Sequence, residues 1–169
     1  PAILAFLWYR GLKDRRYRER WRERLGYGPG PEVSGALWIH AASVGEMIAA
    51  TPMVRALLEQ TPDRPILITT MTPTGAERVR AAFGDQVRHA YIPLDLPWMV
   101  NAFIRRVKPS GLLIMETEVW PNLVHACARR GVPVILANAR LSEKSASGYA
   151  RVAPLTLPAF RCLDWIAAQ

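Results

Sequence analysis

The sequence predicts an α/β fold in which helices cover both faces of a parallel sheet. Short apolar runs alternate with amphipathic stretches from residue 36 onwards. The runs lack the polar alternation of a half-exposed strand, which indicates strands buried on both faces. Regular alternation of strand and helix is typical of βαβ units with right-handed crossovers. We therefore predict a Rossmann-like, doubly wound domain over residues 31–169.

The strand and helix positions follow from these runs. The predicted strands are 36–40, 65–71, 87–93, 111–116, 132–138 and 165–169. The predicted helices are 45–60, 74–83, 97–107, 120–130 and about 142–152. Thr74 and Glu77 have the spacing of a capping box, which places the start of the second helix at Thr74. Pro52 lies inside the first helix, which must either kink there or restart with Thr51 as its cap.

Residues 1–30 are predicted to form a separate helical extension, closed by the Gly/Pro-rich stretch 26–35. Residues 10–24 contain eight Arg/Lys and three Asp/Glu, so this stretch supplies +5 of the formal net charge of +8. Tyr17, Trp21 and Leu25 recur every four residues, which predicts a helix with one apolar stripe and arginine-rich faces. Such a helix either lies on an anionic membrane surface or packs its stripe on the domain, and the two are compatible.

The first nine residues, PAILAFLWY, are apolar but too few to span a bilayer. The chain opens with Pro rather than Met, so this stretch is compatible with the end of a longer apolar segment. A basic block next to it favours an anionic partner, which is a nucleic acid, a phospholipid surface or a phosphorylated ligand.

Metal, dinucleotide and hydrolase sites find little support. Cys127 and Cys162 lack metal-ligand spacing and are interpreted as reduced thiols of a cytosolic protein. His40, His89 and His125 also lack such spacing, and we interpret all three as structural. The sequence contains no GxGxxG, no Walker lysine loop and no GxSxG.

Polar residues gather in the loops that follow the predicted strands. These loops are AASVGE (41–46), TTMTPTG (69–75), ETEVWPN (116–122) and NARLS (138–142). Ligands of open parallel sheets bind beyond the carboxyl ends of the strands. The loops at the other ends, such as 59–65 and 105–110, resemble ordinary solvated connections. The sequence therefore predicts one functional edge.

Glu46 is the first candidate on that edge. Ser43 to Glu46 has the form of a capping box, so Glu46 either only caps its helix or also acts on a ligand. A helix amino terminus favours the ionised carboxylate, which suits a general base more than a general acid. Gly45 beside it would let a ligand approach the backbone closely.

Glu116 and Glu118 follow a very apolar strand and are two residues apart. Such a pair could share a proton, hold a cation or bind sugar hydroxyls, or one acid could cap the next helix. Thr74 and Gly75 belong to a turn whose backbone N–H groups could bind an oxyanion or a hydroxyl. Arg140 could pair with one of the two glutamates or with an anionic ligand.

The strings WIHAASVGE, TTMTPTG, YIPLDLP, METEVWPN and ANARLS resemble, in this order and spacing, the bacterial Kdo transferases. These are the 3-deoxy-D-manno-octulosonic acid transferases of lipopolysaccharide synthesis. The resemblance is to their amino-terminal half and extends from the basic segment to IAAQ. It implies the amino-terminal, acceptor-binding domain of a GT-B glycosyltransferase, with the donor-binding carboxyl-terminal domain absent from this chain. An isolated half of this kind is expected to be inactive alone.

The resemblance also implies substrates and location. The family transfers Kdo from CMP-Kdo to a tetra-acylated lipid A precursor, without a metal or other cofactor. It is anchored at the cytoplasmic face of the inner membrane by an apolar amino-terminal segment. The basic stretch would then meet the membrane surface and the acceptor phosphates, with these contacts expected from Arg15, Arg16, Arg18, Trp21 and Arg22.

The resemblance implies a catalytic role for three of the site residues and acceptor binding for the others. Glu46 is the expected general base, which deprotonates the acceptor hydroxyl during an inverting transfer, and Glu116 and Glu118 are expected to support it. The remaining acceptor-binding residues implied by the matching motifs are Ser43, Gly45, Thr74, Gly75, Asn138 and Arg140.

Two alternatives remain at this stage. One is another GT-B enzyme with a different nucleotide sugar, which the carboxyl-terminal half would distinguish. The other is a non-catalytic module that binds a membrane surface or nucleic acid through the basic helix. Glu46, Glu116 and Glu118 argue against nucleic acid, because carboxylates on the functional edge would repel phosphates unless Arg140 neutralised them.

Overall fold

The computed structural model describes residues 2–28, 33–116, 119–139 and 153–168, with the side chains of all of these except 2–6 and 155. The strands are β1 Leu37–His40, β2 Ile66–Thr70, β3 Arg88–Tyr91, β4 Gly111–Met115, β5 Val134–Ala139 and β6 Trp165–Ala168. The helices are α1 Ala2–Lys13, α2 Trp21–Arg24, α3 Val44–Gln60, α4 Pro73–Phe83, α5 Pro97–Val107, α6 Pro121–Ala128 and α7 Ala153–Phe160.

The six strands form one sheet in the order β3-β2-β1-β4-β5-β6, and every neighbouring pair is parallel. The strand order reverses between β1 and β4, where Ile39 lies between Ile68 of β2 and Leu113 of β4. This is the topology of a doubly wound sheet, so the predicted fold class is confirmed.

Consecutive side chains of β1 enter two different cores, as expected for a strand covered on both faces. Trp38 packs on Phe103 of α5 with ring centroids 4.8 Å apart, within the core that α6 also lines. Ile39 packs on the opposite core with Met47 and Val54 of α3. The apolar runs in the sequence therefore reflect burial on both faces of the sheet.

One detail of the predicted helices needs correction, and one of the two alternatives left open at Pro52 is excluded. The helix α4 is capped by Thr72, whose Oγ1 accepts the Gly75 N–H at 3.1 Å, so the cap predicted at Thr74 is wrong. Pro73 takes the first helical position, where its missing N–H costs nothing. The helix α3 runs unbroken through Pro52 and does not restart at Thr51. The predicted helix at 142–152 lies outside the described residues, and α7 was not predicted.

The prediction of one continuous helix over residues 10–24 is wrong. A 3-10 turn, Arg15–Arg18, begins at Asp14, and Arg20 then adopts a left-handed backbone with φ of 55°. Tyr17, Trp21 and Leu25 nevertheless share a face, which packs in a small cluster with Leu7, Leu94 and Met99. The apolar stripe therefore contacts the domain.

The same segment covers the free edge of β3. Arg20 donates from Nη2 to the His89 carbonyl at 2.8 Å, and the Glu23 carboxylate accepts the Tyr91 N–H at 2.8 Å. An uncovered edge strand exposes such groups to pairing with other chains. Residues 20–24 thus satisfy the edge of the sheet with side chains instead of a seventh strand.

Candidate functional site

The loops that follow β1 and β4 diverge because the strand order reverses between these two strands. Such a point opens a crevice at the carboxyl ends of a doubly wound sheet and is the usual ligand site of the fold. Residues 41–43 leave β1 toward α3, and Glu116 leaves β4. Glu46 and Glu116 therefore flank the expected crevice.

Glu46 occupies the first turn of α3 and is 5% exposed. Its backbone N–H donates to Ser43 Oγ at 3.3 Å, as the sequence predicted. Its Oε2 accepts the N–H of Ala42 at 2.7 Å, one residue before the cap. Ser43 therefore caps α3 as predicted, whereas the Glu46 carboxylate reaches past the cap to Ala42 and lies where the partial positive charge of the helix favours an anion.

A cavity of about 660 Å³ opens beside this helix start. It brings together three of the predicted site residues, Gly45, Glu116 and Asn138. Its other lining residues come from α3 and from the ends of three strands: Ala49, Met53, Met115, Ala137, Ala167 and Ala168. The cavity thus combines the polar side chains of Glu116 and Asn138 with an otherwise apolar lining, a combination typical of small-molecule sites.

Backbone geometry turns two of these residues away from the regular strands. Glu116 and Asn138 have φ values of 57° and 56°, in the left-handed region that side-chain-bearing residues rarely adopt. The pairing of β5 with β6 shifts between Ala137 and Ala139, so that Asn138 is the bulged residue. Bulges and left-handed residues are frequent at functional sites.

Gly45 and Gly75 begin adjacent helices but differ in their surroundings. A Cβ on Gly45 would meet only Ser43 Oγ, at an ordinary 3.8 Å. A Cβ on Gly75 would lie 3.1 Å from both Thr70 Cβ and Thr72 Oγ1. Packing therefore explains glycine at position 75 but not at position 45, where the backbone faces the cavity.

The remaining predicted residues lie elsewhere or outside the described residues. Thr74 is exposed at the start of α4, next to the glycine it precedes, and neither residue lines the cavity. Glu118 and Arg140 lie outside the described residues.

The predicted membrane or phosphate contacts lie on the amino-terminal segment. Arg15, Arg18 and Arg22 are exposed, and Trp21 is partly buried in the apolar cluster. Arg16 is exposed and contacts Asp14 at 2.7 Å and Glu77 of α4 at 2.6 Å. No helix within the described ranges combines the length and apolarity needed to cross a membrane.

Two predicted structural histidines are held neutral inside the domain. Burial lowers the pKa of His40 to about 4, although its Nδ1 contacts Thr69. Burial and the nearby guanidinium groups, chiefly that of Arg20, lower the pKa of His89 to about 3. In 2–28, 33–116, 119–139 and 153–168, no three His, Cys, Asp or Glu side chains cluster as a metal site would require.

Asp95 is a residue of this edge that the sequence reasoning missed. Its carboxylate accepts the backbone N–H groups of Asn122 at 3.1 Å and Leu123 at 2.8 Å, in the first turn of α6. Trp120, the residue at the cap position, makes no capping bond through its side chain. Asp95 therefore caps a helix from a different loop, and only its place in YIPLDLP could have pointed to it.

The fold and the site define a class: a Rossmann-like domain with an acidic, glycine-bordered crevice at the strand-order switch. Residues 19–169 match the family described as 3-deoxy-D-manno-octulosonic-acid transferase (kdotransferase). The chain belongs to this family and corresponds to its amino-terminal domain.

Three relatives show how much of such proteins the chain represents. It is 48% identical to the 3-deoxy-D-manno-octulosonic acid transferase of Haemophilus influenzae over all of this chain and 40% of that protein. The Bordetella pertussis protein of the same name is 34% identical over all of this chain, which covers 41% of the relative. A probable mitochondrial transferase of this name from Arabidopsis thaliana is 37% identical over 94% of the chain and 35% of its own length.

Proposed function

We propose that this chain is the acceptor-binding domain of an inverting glycosyltransferase that moves Kdo from CMP-Kdo to a tetra-acylated lipid A precursor in lipopolysaccharide synthesis. A carboxyl-terminal domain would bind CMP-Kdo, so that this domain alone turns nothing over. The observation that carries the proposal is the ionisable Glu46 at a helix start beside an open cavity, in a chain of the Kdo transferase family.

Glu46 is proposed as the general base. Its carboxylate takes the proton of the acceptor hydroxyl while that oxygen attacks the anomeric carbon of Kdo. The bond from the anomeric carbon to the CMP phosphate breaks, and CMP leaves with the electron pair. Because attack comes from the side opposite to CMP, the configuration inverts. The Ala42 N–H on Oε2 holds the carboxylate in place.

Glu116 and Asn138 are proposed to bind acceptor hydroxyls, since both line the cavity that Gly45 borders. Gly45 gives the sugar access to the backbone of α3, and Ser43 fixes the start of that helix. Glu118, Thr74, Gly75 and Arg140 complete the proposed acceptor site by their place in the matching motifs.

We place the enzyme at the cytoplasmic face of the inner membrane. The support is the exposed side chains of Arg15, Arg18 and Arg22 on one short segment, next to exposed Trp8 and Leu12 of α1. Cations and large apolar groups together favour an anionic lipid surface. The transfer is proposed to need no metal or other cofactor.

The test is Kdo transfer by the full-length protein and its Glu46→Gln variant, with CMP-Kdo and the tetra-acylated precursor. Glutamine keeps the capping bonds but accepts no proton, so we expect turnover to fall by about 10²–10⁴-fold with unchanged thermal stability. Glu59→Gln makes the same chemical change at an exposed site of α3 and should retain wild-type turnover.

Three outcomes would contradict parts of the proposal. Wild-type turnover in Glu46→Gln would reduce Glu46 to a cap and move the base to Glu116 or Glu118. Transfer from another nucleotide sugar, but not from CMP-Kdo, would indicate a different GT-B enzyme. No transfer by the wild-type protein from any nucleotide sugar would favour a non-catalytic membrane-surface module.

A further inference from the structure

Arg24 is a buried cation at the functional edge that the proposed mechanism does not use. Its side chain is 1% exposed, and its Nε has no hydrogen-bond partner in the described part of the chain. No carboxylate forms an ion pair with it among the described residues. Burying an unpaired charge is costly, so a residue of this kind needs an explanation beyond packing.

The contacts of Arg24 join two loops of that edge. Its Nη2 donates to the carbonyl of Met71, the residue before the cap of α4, at 2.9 Å. Its own carbonyl accepts the N–H of Leu94, in the loop after β3, at 2.9 Å. The guanidinium carbon lies 4.0 Å from the centre of the Tyr91 ring, at the end of β3.

The backbone around Arg24 is fixed as well. Glu23 accepts the Tyr91 N–H, and Gly26 has φ of 87° with its Cβ position only 2.3 Å from the Met99 carbonyl oxygen. Any side chain at position 26 would therefore separate the segment from α5. Arg24 is thus held from both sides against the loop at 71–75.

That loop is in turn linked to the loop of Glu46. The Met71 N–H donates to the Ala42 carbonyl at 3.1 Å, and the Ala42 N–H donates to Glu46 Oε2. Met71 therefore connects Arg24, through its carbonyl, to the Glu46 loop, through its N–H. A shift at Met71 would move both acceptor-side loops.

We infer that Arg24 is a positioning residue that sets the loop at 71–75 for binding of the acceptor. The inference rests on the proposed function, because it assumes that this loop faces the acceptor. It assigns to the amino-terminal segment a role in acceptor affinity that does not depend on contact with a membrane. The Met71 carbonyl accepts a hydrogen bond and the face of the Tyr91 ring attracts a cation. A guanidinium makes both contacts, and an apolar side chain makes neither.

The experiment compares Arg24→Met and Arg24→Lys in the full-length enzyme, with detergent-dispersed acceptor so that membrane binding does not enter. We expect Arg24→Met to raise the acceptor KM by about tenfold, the factor that one net hydrogen bond corresponds to. The KM for CMP-Kdo should stay unchanged. Arg24→Lys keeps a cation against the Tyr91 ring and a donor for the Met71 carbonyl, so it should recover much of the acceptor affinity.

The control is Arg64→Met. It removes one exposed arginine just before β2, at the amino-terminal ends of the strands, and should leave both KM values unchanged. A rise in both KM values, or a loss of kcat that follows the loss of folded protein, would show a purely structural role. An unchanged acceptor KM in a folded Arg24→Met protein would overturn the inference while leaving the Glu46 result intact. If Glu46→Gln loses transfer while Arg24→Met keeps the wild-type acceptor KM, the proposed function is supported and this inference is not.

Discussion

Gly45→Ala separates the needs of the fold from those of the ligand. The new Cβ would meet only Ser43 Oγ, at 3.8 Å, and the position lies in the first turn of a regular helix. Alanine there restricts the unfolded chain without strain in the folded one, which stabilises a protein by about 0.4–1 kcal/mol. In a domain of this size the melting temperature should rise by about 1–4 °C.

Activity should change in the opposite direction. Gly45 lines the cavity together with Glu116 and Asn138, so we expect the added methyl group to take space from a ligand. Overfilling a fitted site costs about 1–3 kcal/mol, which corresponds to a loss of about 5- to 150-fold in kcat/KM for the acceptor. The assays are thermal unfolding of the domain and acceptor titrations of Kdo transfer by the full-length enzyme.

Gly75→Ala is the matched comparison. Its Cβ would press on Thr70 Cβ and on Thr72 Oγ1, the atom that caps α4. This variant should lose stability, whereas Gly45→Ala gains it. A stabilised Gly45→Ala enzyme with the wild-type kcat/KM for the acceptor would refute the reasoning, because the backbone at position 45 would then meet no ligand.

Two further predictions concern stability. His40 is buried and His89 is partly buried, with folded pKa values of about 4 and about 3, below the ordinary 6.5. The unfolded chain therefore binds more protons, so stability present above pH 6.5 is lost as the pH falls toward these values. Between pH 7 and pH 5 each histidine should remove about 2 kcal/mol of unfolding free energy. Urea denaturation should show this loss, and a slope equal in wild type and His89→Asn would contradict it. Asp95→Ala leaves the first turn of α6 uncapped and should cost about 2 kcal/mol. The check is its urea midpoint against that of Asp85→Ala, an exposed aspartate outside this edge.

Most of the sheet could be predicted from the sequence because its strands are buried on both faces. An apolar run such as 111–116 needs no partner information to be recognised, and the observed β4, Gly111–Met115, differs from it by one residue. The start of α4 was misplaced because Thr72 and Thr74 both have the chemistry of a cap. Pro73 decides between them, since proline suits the first helical position, which it takes when Thr72 is the cap, whereas a cap at Thr74 would leave it just outside the helix. The missed helix α7 contains Pro154 and Pro158, which argue against a helix in any local reading.

The site was less predictable than the sheet, because it depends on contacts between distant segments. The loops of Gly45, Glu116 and Asn138 meet only after the strand order places β5 beside β4 and after a bulge turns Asn138 out of register. Asp95 caps a helix that begins 26 residues later, as the bonds to Asn122 and Leu123 show, and no local pattern marks such a cap. The same holds for Arg24, whose partners come from two other loops.

A place at the start of a helix and a role as a base are compatible for Glu46. The partial positive charge of a helix start favours a carboxylate anion, and a carboxylate anion is what a general base must be. Its position is fixed by the Ala42 N–H, which is itself part of the loop that Met71 anchors. Glu46 is only 5% exposed, so little bulk water competes with a sugar hydroxyl for contact with its carboxylate. The start of α3 therefore supplies the orientation of the carboxylate and a field that favours the anion on which the proposed chemistry depends.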